Sequence, residues 1–338
     1  MILVQDKVVM EKPRKFPLLL RMVVLLLSMV SGVYIFSICM EPMTYFRSSD
    51  LLRTRMVLNS CPNTKIHSSE IPYIHFPSPR NYSRQECACN PVRLFAIISM
   101  QRSGSGWFET LLNSHENVSS NGEIFGARDR RVNISAIYNI LDQVYNLDWY
   151  SSSSKNECSA AVGFKWMLNQ GLTEYHEGIA KYFRKRGVHA IYLFRRNHLR
   201  RMISLLANAY DKETKPLNGT HKSHVYSPRE AHVLARYKPS LNATRLVREL
   251  MKAEQKTARA LEYFKSSRSI VVYYEDIVRN RTKLIEVLDF LKLPHRKLRS
   301  NQVKIHTGSL LTQIENAADV ERALKGTTYE RYLHSDYQ

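Results

Sequence analysis

The chain has 338 residues, with 50 lysines and arginines against 30 aspartates and glutamates, for a formal charge of +20. A hydrophobic content of 44% provides enough apolar surface to offset the entropy of ordering, which excludes a fully disordered chain, and twelve glycines and twelve prolines are too few for collagen-like or low-complexity repeats. The charge calls for a polyanionic partner: nucleic acid, an acidic membrane surface, or a sulfated or phosphorylated ligand.

Met22 to Met40 carries no charged side chain, and 19 helical residues span about 28 Å, enough for a bilayer's hydrocarbon core. Lys7, Lys12, Arg14, Lys15 and Arg21 precede it against Asp6 and Glu11, whereas residues 41–55 hold three basic and two acidic residues. That asymmetry predicts a single-pass type II signal anchor over residues 22–40 behind a cytoplasmic tail, residues 1–21. A cleaved signal peptide and a buried core helix are the competing readings, but the former has a shorter apolar region and a small-residue cleavage site. The anchor places everything after residue 41 in the secretory lumen. Six Asn-x-Ser/Thr sequons lie on that side, at Asn81, Asn117, Asn133, Asn218, Asn242 and Asn280. Cys61, Cys87, Cys89 and Cys158 form an even set that an oxidising compartment would pair as two disulfides, with three connectivities open. The Cys87-x-Cys89 spacing does not suit a zinc knuckle. Lumenal placement removes nucleic acid as a partner.

Residues 41–90, rich in Ser, Pro and Asn without a sustained period, read as a stem, and residues 91–338 as the folded domain. Leu94–Ser99 is an apolar run of buried-strand type, followed by a Gly/Ser loop and a helix with Trp107, Phe108, Leu111 and Leu112 on one face. Strands recur at residues 160–164, 190–194 and 269–274. Helices are expected near residues 198–210, over most of 227–264 with a break at Pro239, and over 281–292. Such alternation predicts an α/β fold with a mostly parallel sheet covered on both faces.

Two strand ends carry anion-binding chemistry. In Arg102-Ser103-Gly104-Ser105-Gly106-Trp107, small residues let successive backbone N–H groups and the positive end of a helix dipole meet an anion, and Arg102 adds a forked cation. An ordinary flexible turn has the same composition. No Lys-Ser/Thr follows the glycines, so the loop is not that of a nucleoside-triphosphate kinase or ATPase. The later strand runs into Arg195 and Arg196, and Arg196 and Ser204 are spaced to face one phosphate. Residues 181–201 hold eight basic and no acidic side chains, which also describes a solvated basic face.

The Arg102–Trp107 loop resembles the 5′-phosphosulfate loop of sulfotransferases that use 3′-phosphoadenylyl sulfate (PAPS), and Arg196 with Ser204 resembles their 3′-phosphate motif. Asn121-Gly-Glu123-Ile-Phe125 is similar to the branch containing the rhizobial nodulation-factor and bacterial trehalose sulfotransferases and their plant relatives. Gly163-Phe-Lys165, Tyr273-Tyr-Glu-Asp276 and the tracts 314–316 and 324–327 add agreement, and the whole covers about residues 92–335. The resemblance implies a three-layer αβα sandwich of P-loop-NTPase-like type and a membrane-bound Golgi enzyme. Its reaction would be metal-free transfer of a sulfuryl group from PAPS, as co-substrate, to a hydroxyl of a carbohydrate or glycoconjugate acceptor. It implies that Glu123 is the general base, Arg102 the electrostatic stabiliser, and that Ser103, Gly104, Ser105, Gly106, Trp107, Arg196 and Ser204 hold the nucleotide. Taken alone, a Glu after Asn-Gly is also an ordinary turn residue. His115 and His306 are other candidate bases, and Lys165, directly after a strand, is either a sulfonate contact or a solvated strand end. The sequence departs from the common Lys-Ser-Gly-Thr-Thr-Trp pattern, since Arg102 replaces the lysine and Gly106 removes a hydroxyl. Asn197-His198 stands where a proline often follows the 3′-motif arginine. A lumenal glycan- or nucleotide-binding pseudoenzyme of the same fold is the alternative.

Overall fold

In a computed structural model of the protein, the described residues are 22–31, 33, 67–149 and 158–334. The chain divides into two units, Met1–Ser60 and Cys61–Gln338. In the first, residues 22–31 and 33 are helical and exposed, while residues 1–21, 32 and 34–40 of the expected tail and anchor lie outside the described residues. No helix among the described residues is long and apolar enough to cross a membrane.

The second unit is built on five parallel strands: β1 (Arg93–Ser99), β2 (Val118–Ser120), β3 (Ala161–Met167), β4 (His189–Phe194) and β5 (Ser269–Tyr273), in the order β2-β3-β1-β4-β5. Every residue of β1, β3 and β4 is buried, as expected of central strands covered on both faces. Strand alternation sends Leu94, Ala96 and Ile98 to one core and Phe95 and Ile97 to another. The first core is closed by α2 (Ile134–Tyr145), α3 (His176–Arg186) and α6 (Ala243–Tyr263), through Ile137, Leu141, Phe183, Ala253 and Ala260. The second is closed by α1 (Ser105–Asn113), α7 (Tyr274–Arg279) and α8 (Thr282–Phe290), through Phe108, Leu111, Ile277, Leu284 and Leu288. The result is the three-layer sandwich. A third apolar cluster joins α4 (His198–Thr214) and α6 to α9 (Ala317–Leu324) and α10 (Arg331–His334), and the short α5 (Pro228–Leu234) closes a small fourth one.

The structure differs from the sequence expectation at several places. Residues 67–90, expected in the stem, are tied to the folded unit. His75 and Val92 exchange backbone hydrogen bonds, Glu70 pairs with Arg93 and Arg268, and Arg84 donates to the Ser159 carbonyl. Aperiodic sequence hid this because the segment is held by single polar contacts rather than by an apolar face. Cys87 and Cys158 form a disulfide, and Cys89 is disulfide-bonded as well. Strand β3 extends to Met167, so Lys165 lies inside it and is buried, not at a solvated strand end. The residue 281–292 helix is preceded by the separate α7, and β2, α2 and α3 were not anticipated.

Candidate functional site

The carboxyl ends of β1 and β4 open into a cleft of about 420 Å³, whose lining includes Arg102, Gly104, Ser105, Gly106, Trp107, Glu123, Arg195, Ser204, His224, Tyr274, Lys304 and His306. Ligands in open parallel sheets bind at this edge because the strand ends and helix amino termini converge there.

The loop from β1 to α1 winds through left-handed backbone at Arg102 (φ 64°) and Gly104 (φ 85°). A Cβ at Gly104 would run into the Tyr274 ring, which also meets Trp107 edge-on at 5.6 Å. A Cβ at Gly106 would occupy the place of the His224 imidazole. Gly104 is therefore called for by both the turn and the Tyr274 ring, whereas at Gly106 only the His224 ring stands in the way of a side chain. The N–H groups of Ser105, Gly106 and Trp107 open α1 and have no acceptor one turn back, so their partial positive charge faces the cleft. Ser103 sits behind this row, 1% exposed.

Arg102 turns across the cleft toward α4: its Nε donates to Ser204 Oγ at 2.9 Å, and its Nη1 to the Ser223 carbonyl at 2.8 Å and to Asn208 Oδ1 at 3.4 Å. Burial and the Arg195 charge lower its pKa to about 10, opposed by Asp211. Asp211 is itself pushed up to about 6 by burial, against the pull of Arg102. Arg195, at the end of β4, donates to the Arg102 carbonyl at 3.3 Å and lies over the Tyr274 ring. Lys304 is lowered to about 8 by burial and then by Arg200 and Arg195. His306 is held near 4 by burial and by four cations, Arg102, Arg195, Arg200 and Lys304, which keeps it neutral.

Arg196 lies elsewhere. Strand alternation carries it away from Arg195, into a bidentate pair with Asp276 and over the Tyr273 ring at 3.9 Å. Glu275 accepts from the N–H groups of Arg196 and Asn197, so the Glu275-Asp276 pair clamps this turn from below. Arg196 and Ser204 consequently do not face one phosphate: Ser204 lines the cleft and Arg196 lines a different surface hollow with Glu254, Arg279 and Tyr332. The cation that the cleft receives from this strand end is Arg195.

On the opposite wall, Glu123 is solvent-accessible and held from two sides. Lys165 Nζ stands 3.3 Å from its Oε1, and Gln170 Nε2 donates to its Oε2 at 2.9 Å. Lys165 is also 3.4 Å from Glu109, whose other oxygen accepts from Ser120 Oγ and the Gly122 N–H at 2.7 and 2.8 Å. Glu109 thus fixes both the turn that carries Glu123 and the lysine that pairs with it. Of the other candidate bases, His115 is buried outside the cleft: its Nδ1 accepts from the Asn117 N–H, leaving Nε2 to donate to the Pro294 carbonyl. Among the described residues, no group of three or more His, Cys, Asp or Glu is placed to hold a metal ion.

Arg195, Glu109, Gln170, His224 and Tyr274 were not singled out from sequence. Glu109 had a signal, being the one charged residue within the apolar helix face Trp107–Leu112; His224 had none, since it comes from an aperiodic loop.

No protein-family model and no curated protein matches the chain. Solved structures that align with it include a sulfotransferase from Alicyclobacillus acidocaldarius (12% identity, 72% of this chain and 96% of that one, TM-score 0.34). Others are a sulfotransferase domain from the curacin biosynthetic pathway (17%, 71% and 88%, 0.32) and mouse sulfotransferase SULT7A1 complexed with PAP (12%, 71% and 88%, 0.37). At these TM-scores a functional reading rests on the cleft's own geometry.

Proposed function

We propose that the protein is a PAPS-dependent sulfotransferase, transferring a sulfuryl group to a hydroxyl of a carbohydrate or glycoconjugate. The observation that carries this reading is the gathering of cations at the sheet edge. Arg102, Arg195, Arg200 and Lys304 surround His306, and burial first, then the neighbouring arginines, lower Lys304 to about 8 and Arg102 to about 10. A site that desolvates and concentrates positive charge in this way is stabilised by a ligand carrying several negative charges. PAPS has two phosphate positions, one for the amino end of α1 and one for the cations beyond it.

Opposite that row, Glu123 is an exposed carboxylate whose oxygens are oriented by Lys165 and Gln170. In the proposed reaction the acceptor oxygen forms a bond to sulfur as the bond from sulfur to the bridging phosphate oxygen breaks. The bonding pair leaves with the phosphate, and the hydroxyl proton passes to Glu123. Arg102 and the α1 N–H groups stabilise charge on the leaving phosphate, so the protein's contribution is positioning, electrostatics and one proton acceptor. The Cys87–Cys158 disulfide supports placement in an oxidising lumen, and with the apolar segment 22–40 it supports our reading of a type II Golgi membrane protein.

The test is incubation of the full chain with labelled PAPS and a panel of glycans. Transfer to at least one glycan is expected, and Glu123→Gln should retain PAPS affinity while turnover falls by about 10² to 10⁴. Binding of PAPS without transfer to any acceptor would favour the pseudoenzyme, and absence of both overturns the reading.

A further inference from the structure

The cleft contains a side chain to which the sequence assigned no role. His224, on the loop between α4 and α5, places the Nε2 edge of its ring against the Cα of Gly106, in the room that a side chain at residue 106 would fill. Neither ring nitrogen has a hydrogen-bond partner among the described residues, although the ring lines the cleft. The charged groups that bear on it are Lys165 and Arg102, which disfavour its protonation, and Glu123, which favours it. The residue is exposed on its cleft side, and the packing of the ring first, then the two cations, lower the imidazole to about 4, so at neutral pH it is uncharged, with one N–H to donate and one nitrogen to accept.

Position, open valence and neutrality together define a use. The N–H groups of Ser105, Gly106 and Trp107 have no intrahelical acceptor at the amino end of α1, and Gly106 has no hydroxyl to add to them. We propose that His224 supplies the missing side-chain hydrogen bond to the 5′-phosphosulfate of the nucleotide, using the space that Gly106 leaves open. This assignment rests on the PAPS reading of the cleft. It makes Gly106 and His224 one unit: a side chain at residue 106 displaces the ring, and the ring replaces the side chain.

Nucleotide binding by the full chain tests it, with two ligands that differ at one end: adenosine 3′,5′-bisphosphate, and adenosine 3′-phosphate, which lacks the 5′ group. His224→Ala and His224→Phe should each weaken the bisphosphate by about tenfold or more, the scale of a hydrogen bond to a charged group, while leaving the 3′-phosphate affinity within about twofold. His224→Gln, which keeps a donor, should retain most of the affinity. Gly106→Ala should reproduce the loss by displacing the ring, and Gly106→Ala/His224→Ala should be no weaker than either single variant. Equal losses for both ligands, undiminished bisphosphate binding in His224→Ala, or additive losses in the double variant would each overturn the assignment while leaving the PAPS reading standing. Failure of the wild-type protein to bind either nucleotide would overturn both.

Discussion

At the scale of single residues, two adjacent arginines have different surroundings and different expected roles. Arg195 is 9% exposed and lines the cation-rich cleft, whereas Arg196 is exposed and paired with Asp276 on another surface. Exposed ion pairs contribute little, so Arg196→Ala should change stability by less than about 1 kcal/mol and leave PAPS affinity nearly unchanged. Arg195→Ala should weaken PAPS by about tenfold or more, because it removes a desolvated cation facing the ligand. Titration calorimetry on the two variants checks this, and the reverse ranking would restore Arg196 to the nucleotide site. The motif spacing of Arg196 and Ser204 was legible in the sequence. Which of two neighbouring arginines faces the cleft was not, because that depends on the strand's rotation and on Asp276, eighty residues later.

At the scale of elements, the cleft is built from the amino terminus of α1, the turn that carries Glu123, residues of β3, α4 and α7, and the loops that carry His224 and Lys304. The β1–α1 turn was recognisable from its glycines and serines, but the reason for each glycine lies in distant residues. The Tyr274 ring excludes a side chain at Gly104, and the His224 ring occupies the space of one at Gly106. Gly104→Ala combines a left-handed backbone at φ 85° with a collision against an aromatic ring that is itself packed on Trp107. The expected cost is about 2 kcal/mol or more, seen as a lower Tm, together with loss of PAPS binding as α1 shifts. An unchanged Tm would show that the turn has room the structure does not show. The 120–123 turn is set in the same way, by Glu109 reaching back from α1 to Ser120, Gly122 and Lys165.

For the whole molecule, the buried histidines set a pH limit. His189 and His198 are 0% and 6% exposed, and burial, joined by Arg268 for the first and Arg201 for the second, lowers each to about 4. The unfolded chain binds protons at these sites near pH 6.5 and the folded chain does not until about 4, so their contribution is complete above 6.5 and is lost as pH falls through that window. Each shift corresponds to about 3 kcal/mol, and denaturant midpoints measured from pH 7 to 4 should fall accordingly. His189→Gln should flatten that dependence; an unchanged slope would remove His189 as a cause. Lumenal placement makes a separate prediction. Asn81, Asn133, Asn218, Asn242 and Asn280 are exposed, although Asn81 Nδ2 donates to the Asp148 carbonyl at 3.2 Å, whereas Asn117 is partly buried and its Nδ2 donates to the Cys158 carbonyl at 3.0 Å. Protein made in the secretory pathway should carry N-glycans at the first five and none at Asn117, as read by mass spectrometry after enzymatic deglycosylation. No glycan at any of them would remove the lumenal assignment.

The sequence by itself determined the layered α/β architecture, because runs such as Leu94–Ile98 and Ala190–Phe194 are apolar throughout and a doubly covered parallel strand buries them. It also marked the first strand turn as a candidate anion site, through glycine, serine and arginine at a helix start, a composition that an ordinary flexible turn shares. The tertiary structure alone decided which charges meet. Arg102 contacts Ser204 more than a hundred residues away, Lys165 joins Glu109 to Glu123, and Lys304 and His306 come from a loop without periodicity. Local spacing records which face of an element a residue occupies. Long-range contacts such as these come from the packing of several elements at the sheet edge, and local spacing does not encode them.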